Sequence, residues 1–112
     1  MDDANLIRVL KALADPNRFK MVREIAAAGE LSCGQVGECF RLAQPTISHH
    51  VKILTDAGLL VVRREGQRSF ISLNRALLNR ALGLLPERLV EEGSEKAAPP
   101  KSTSGQKKRR PR

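Results

Sequence analysis

Apolar residues recur along this chain with two different periods, and the switch between them divides it. From Asp3 to about Ala14, Leu6, Val9, Leu10 and Leu13 fall at i, i+3, i+4 and i+7, the stripe of an amphipathic helix. Asp15 followed by Pro16 reads as a helix start, a capping side chain and then a Pro at the first helical position, where its missing N–H costs nothing. Phe19, Val22, Ile25 and Ala26 form the expected buried face of this second helix, and Gly29 ends it. Ser32 with Gln35 three residues on is a capping box, opening a short third helix from about Cys33 to Phe40. A turn through Arg41, Leu42 and Ala43 leads to Gln44 and Pro45, which open a fourth helix. Ile47, Val51 and Leu54 line one side of it with Ile53 adjacent, and Gly58, free to turn left-handed, closes it.

After Gly58 the period shortens. Leu60-Val-Val-Arg-Arg and the run Arg68 to Leu73 are β-rich, and they flank Glu65-Gly66-Gln67, where Gly66 can supply a positive φ. Asn74 caps a last helix with Leu77, Leu78, Ala81, Leu82 and Leu85 on one face, and Gly83 with Pro86 predicts a kink or break near Leu85. A short helix, a tight turn and a polar-faced helix make a helix-turn-helix, and a hairpin directly after it is a wing. The expected fold is mainly α with a small β-hairpin, a winged helix-turn-helix of order α-α-α-α-β-β-α. The stripe of the last helix is too apolar to leave wet and the body is small, so a dimer built from the first and last helices is expected. Packing against its own domain is the alternative.

The outer face of the fourth helix carries Gln44, Thr46, Ser48, His49, His50 and Lys52, each able to donate a hydrogen bond, with Lys52 alone a permanent cation. An ordinary solvated helix mixes Glu with Lys, so this face suits a polar partner, and its expected place is the major groove of double-stranded DNA. At the hairpin tip, Arg63, Arg64, Gln67 and Arg68 are set to meet phosphates or the minor groove, against the plainer reading of a solvated turn.

Composition sharpens this. The chain of 112 residues has room for one domain, and only 3% of its residues are aromatic, which argues against a module that stacks bases on rings. The net charge of +8 points to a polyanion, yet from Ser94 onward seven cations face Glu95 alone, so +6 of it lies in the tail. The folded part, about residues 1–92, is only mildly basic, so its case rests on pattern. Residues 93–112 read as a disordered basic tail that either adds salt-sensitive DNA affinity or merely solubilises. No apolar run approaches the roughly 18 residues of a membrane span, and the start Met-Asp-Asp-Ala-Asn does not resemble a signal peptide, so a cytoplasmic chain is expected.

Cys33 and Cys39, six apart on one helix, point about 120° from each other and cannot be bridged there. Cys39 beside Phe40 reads as a small core residue. Cys33 lies in the first helical turn, where the dipole favours negative charge, so a thiol-based sensor stands beside a structural role. No cofactor is expected, and no phosphate loop, metal-ligand cluster or nucleophile–base pair suggests an enzyme. Two alternatives to a sequence-specific regulator remain: a winged-helix protein acting through protein contacts, and a non-specific DNA binder driven by the tail.

Leu10-Lys-Ala-Leu-Ala-Asp-Pro-Asn-Arg18, Glu30-Leu31, the run Gln44 to Leu54, Ala57-Gly-Leu-Leu60 and the wing Arg63 to Arg68 resemble the ArsR/SmtB family of winged helix-turn-helix repressors over about residues 5 to 90. The resemblance implies a homodimer that binds an imperfect inverted repeat and releases it on meeting an inducer. It carries base contacts onto Gln44, Ser48 and His49, with Thr46 and Lys52 nearer the backbone. Two-fold symmetry would set the paired helices about 34 Å apart, one turn of DNA. The family's metalloid site, a Cys-x-Cys pair after the Glu-Leu, is replaced here by Ser32 and Gly34 around Cys33. Its other site needs His and Asp on the last helix, and neither occurs between Asn74 and Gly93. No metal site is therefore expected, and the inducer is not named by these residues.

Overall fold

A computed structural model describes residues 1–90. The expected disordered tail lies outside the described residues. Five helices and three strands follow in the order α1 (Asp3–Leu13), α2 (Pro16–Ala28), β1 (Leu31–Ser32), α3 (Cys33–Phe40), α4 (Gln44–Asp56), β2 (Leu60–Glu65), β3 (Arg68–Leu73) and α5 (Arg75–Leu89). The chain divides into a unit spanning Met1–Leu82 and a second beginning at Gly83, whose described part is the last turns of α5.

The helix starts follow the local chemistry. The Asp2 and Asp15 carboxylates accept from the N–H groups of Asn5 and Arg18, at 2.8 and 3.0 Å. Ser32 and Gln35 close a reciprocal capping box, Oγ accepting from Gln35 N–H at 3.1 Å and the Gln35 amide from Ser32 N–H at 2.8 Å. Asn74 Oδ1 likewise accepts from Leu77 N–H at the start of α5.

The core of the first unit gathers Leu6 and Val9 of α1, Met21 and Ile25 of α2, Val36 of α3, Ile47 and Leu54 of α4, then Leu59 and Ile71. Phe19 was expected in it and is not. Its ring is 52% exposed, because position 19 lies about 120° around the helix from Ile25. Met21 takes its place, wholly buried beside Val22, while the Arg23 guanidinium lies 5.8 Å from the Phe19 ring centroid.

The sheet holds one strand more than the hairpin. Leu31 and Ser32 pair antiparallel with Ile71 and Phe70, giving the order β1-β3-β2. Two residues are too few to show an alternating pattern, which is why the sequence reading passes over them. The loop between β2 and β3 is Gly66-Gln67, with positive φ at Gly66 and not at Gln67, the mark of a type II′ turn. Of the kink or break expected near Leu85, the break is not seen: α5 runs on past Pro86, whose carbonyl accepts from Val90 N–H.

Gly58 joins α4 to β2 at φ +88°, and a Cβ there would come within 2.6 Å of Leu77 Cδ1 on α5. The turn that fixes where the wing departs from α4 therefore favours glycine for its backbone, and a Cβ there would have to displace the end of the Leu77 side chain.

Candidate nucleic-acid interface

The helix-turn-helix is α3, the turn at Arg41–Ala43, and α4. Arg41 closes α3 in the left-handed region, φ 53°, its N–H donating to Gly37 O. A non-glycine residue there costs roughly 1 kcal/mol, which the packing of α3 on α4 must offset. At the start of α4, Ala43 offers no side-chain cap. Pro45 has no N–H and the Thr46 N–H donates to Ala43 O at 2.9 Å, so the first turn is closed by its own backbone.

Gln44, Thr46, Ser48, His49 and Lys52 are all exposed along α4. Lys52 Nζ lies 3.2 Å from Asp56 Oδ2, an exposed pair one turn apart, so a phosphate would compete with that carboxylate. Thr55 Oγ is turned inward, donating to Val51 O at 2.7 Å.

His50 departs from the expected outer face. It is 9% exposed and turned toward Arg18, whose Nη1 lies 3.4 Å from its Nδ1. A guanidinium only donates, so Nδ1 accepts. The same Arg18 donates through Nε to Ala12 O at 2.8 Å and through Nη2 to Lys11 O at 3.3 Å. It thereby gives Ala12 O a donor and adds a second one to Lys11 O, which already accepts from Ala14 N–H, while resting on α4. The adjacent imidazoles of His49 and His50 stand 6.0 Å apart between centroids and serve different sides of the helix.

The wing has two faces, and its arginines divide between them. Residues paired across the ladder point the same way. Arg63 with Phe70 and Glu65 with Arg68 share one face; Val62 with Ile71 and Arg64 with Ser69 share the other. The Arg64 face looks at α4 across a groove of about 270 Å³ lined by Ser48, Lys52, Arg64, Ser69 and Cys33 over an apolar floor. Arg63, expected in a cluster for phosphates or the minor groove, is exposed and engaged by two carboxylates. Its Nη2 donates to Glu30 Oε1 at 2.9 Å, its Nη1 to Glu65 Oε2 at 3.0 Å, and its guanidinium lies 4.8 Å from the Phe70 ring centroid. The hydrogen bond to Glu30 holds the Arg63 guanidinium above its usual pKa, with Glu65 adding to it. Arg68 is exposed and also lies over Phe70, at 5.2 Å, while Gln67 is exposed at the tip.

Cys33 is half-buried at the edge of the α4–wing groove, and Cys39 is exposed, contrary to the core position expected of it. On the short α3, Val36 supplies the buried contact. Both thiols are free. Among the described residues, no group of three or more His, Cys, Asp or Glu is placed to hold a metal ion, and no helix is long and apolar enough to cross a membrane. Arg18 and Glu30 enter the sequence reading only within family-like motifs, without their contacts, and Gly37 does not enter it. Their partners lie on other elements, six to thirty-three residues away, where no local pattern signals them.

Known proteins share this arrangement. A helix-turn-helix domain model matches residues 13–63. The arsenical resistance operon repressor of Staphylococcus aureus is 35% identical over 79 residues, 70% of this chain and 75% of that one. The transcriptional repressor SdpR of Bacillus subtilis is 37% identical over 70 residues, 62% of this chain and 77% of that one. Among solved structures, HlyU from Vibrio cholerae superposes with a TM-score of 0.64 at 30% identity, covering 80% of this chain and 97% of that one.

Proposed function

We propose that this chain, which belongs to the ArsR family of helix-turn-helix transcriptional regulators, is a cytoplasmic homodimeric repressor that reads an inverted-repeat operator with α4 and lets go when an inducer binds. The observation that carries this is the outer face of α4. Gln44, Thr46, Ser48, His49 and Lys52 stand exposed there, and Arg64 faces them from the wing. Gln pairs bidentately with adenine, Ser accepts or donates to several bases, and His donates to the acceptors of guanine. Thr46 and Lys52 suit flanking phosphates. Arg64, Gln67 and Arg68 reach toward the neighbouring minor groove or backbone.

Two copies are part of the reading. Ile7 on α1 is 50% exposed and Leu82 on α5 is 48% exposed, apolar positions that a partner subunit would cover. Cys33 is the candidate trigger: an adduct on its sulfur would enter the groove between α4 and the wing. Release by a thiol oxidant that persists in Cys33→Ser would rule that part out.

The test of operator reading is a duplex enriched by the intact chain from a random-sequence library. Gln44→Ala and His49→Ala should weaken binding to it selectively and leave the oligomeric state unchanged. Unchanged affinity in both would count against α4 as the reader and favour a regulator working through protein contacts. A chain lacking residues 94–112 should keep its sequence preference; loss of all binding would instead mark a non-specific binder driven by the tail.

A further inference from the structure

We infer that Gly37 is a positioning residue for sequence discrimination: the gap left by its missing side chain holds the Gln44 amide against α3. The inference rests on Gln44 being a base reader. A Cβ built at Gly37 would lie 2.6 Å from Gln44 Nε2 and 3.8 Å from its Cδ, so the amide occupies the space an alanine would need. The atom in the way is the far end of a flexible side chain, so filling the gap would move the amide and not the helices.

Glycine within a helix is otherwise a liability, costing roughly a kilocalorie per mole against alanine. α3 is eight residues long and carries two, Gly34 and Gly37. They differ in what they face. A Cβ at Gly34 would meet only Ser32 Oγ at 3.9 Å, ordinary contact, whereas Gly37 is filled by a side chain from the helix across the turn. Holding Gln44 at one place before DNA arrives removes part of the ordering cost that a long, flexible amide would otherwise meet on binding.

The experiment compares Gly37→Ala with Gly34→Ala, each alone and combined with Gln44→Ala. Affinities are measured on the duplex enriched by the intact chain and on single-base-pair variants of it, with thermal stability recorded in parallel. The expected result is that Gly37→Ala lowers discrimination roughly five-fold or more at the base pair where Gln44→Ala acts. It should keep discrimination elsewhere and have no further effect in the Gln44→Ala background. Gly34→Ala should leave every ratio unchanged. If Gly37→Ala keeps full discrimination, or lowers it equally at all positions or with Gln44 already removed, the positioning role is overturned. If Gln44→Ala itself changes no base preference, α4 reading and this inference fall together.

Discussion

The Arg18 guanidinium lies between two carbonyls at the end of α1 and the Nδ1 of His50 on α4, so one side chain of α2 ties α4 to α1. A half-buried charged donor with backbone acceptors is worth roughly 2 kcal/mol. Arg18→Leu should therefore lower stability by about that amount in urea titration. Arg18→Lys should recover only part, because an ammonium cannot reach the two carbonyls with a rigid fork.

The two turn glycines with positive φ should respond differently to alanine. Gly66→Ala meets open space and should cost about 1 kcal/mol, the strain of a left-handed alanine alone. Gly58→Ala carries the same strain and must also displace the Cδ1 end of the Leu77 side chain, so it should cost somewhat more. Denaturation midpoints of the two variants measure the difference directly.

Acid should weaken the fold in part through Asp15. The N–H of Arg18 hydrogen-bonds its carboxylate and holds its pKa below the usual range. The folded chain thus binds that proton less readily than the unfolded one. The cap's contribution is complete above the ordinary carboxyl pKa of about 4 and is lost as pH falls through the lowered value. Asp15→Asn keeps a good capping side chain without the charge, so its acid-unfolding curve should be flatter than that of the unaltered chain while stability at neutral pH changes little.

The wing arginines should separate in a salt titration of DNA binding. Arg64 shares a groove with Ser48 and Lys52, so Arg64→Ala should reduce the salt dependence by about one counterion and weaken all sequences alike. Arg63 is held by Glu30 and Glu65 on the opposite face, and Arg63→Ala should leave that slope nearly unchanged. An equal loss of slope in both would show that the ion pairs open on DNA.

Helix boundaries and the helix-turn-helix were legible because they are written locally: Asp15-Pro16, the Ser32–Gln35 box, and the apolar spacing of Ile47, Val51 and Leu54. What escaped was set by distant partners. Ser32 looked like a cap and is also a strand residue, because β3 returns some forty positions later to pair with it. His50 looked outward on a polar helix until Arg18 took its ring nitrogen, and Arg63 looked like a tip cation until Glu30 claimed it. Arg41 gave no sign of a left-handed turn, since glycine or asparagine is what usually marks one. Pro86 sat inside the last helix without breaking it.

Whether two copies of α4 discriminate base edges on one duplex is decided by the affinity and stoichiometry of the intact chain, at physiological salt, on its enriched duplex and on a scrambled duplex of equal length. Two chains per enriched duplex and a preference of roughly a thousand-fold or more are expected. One chain per duplex, or equal affinity for both sequences, would contradict it.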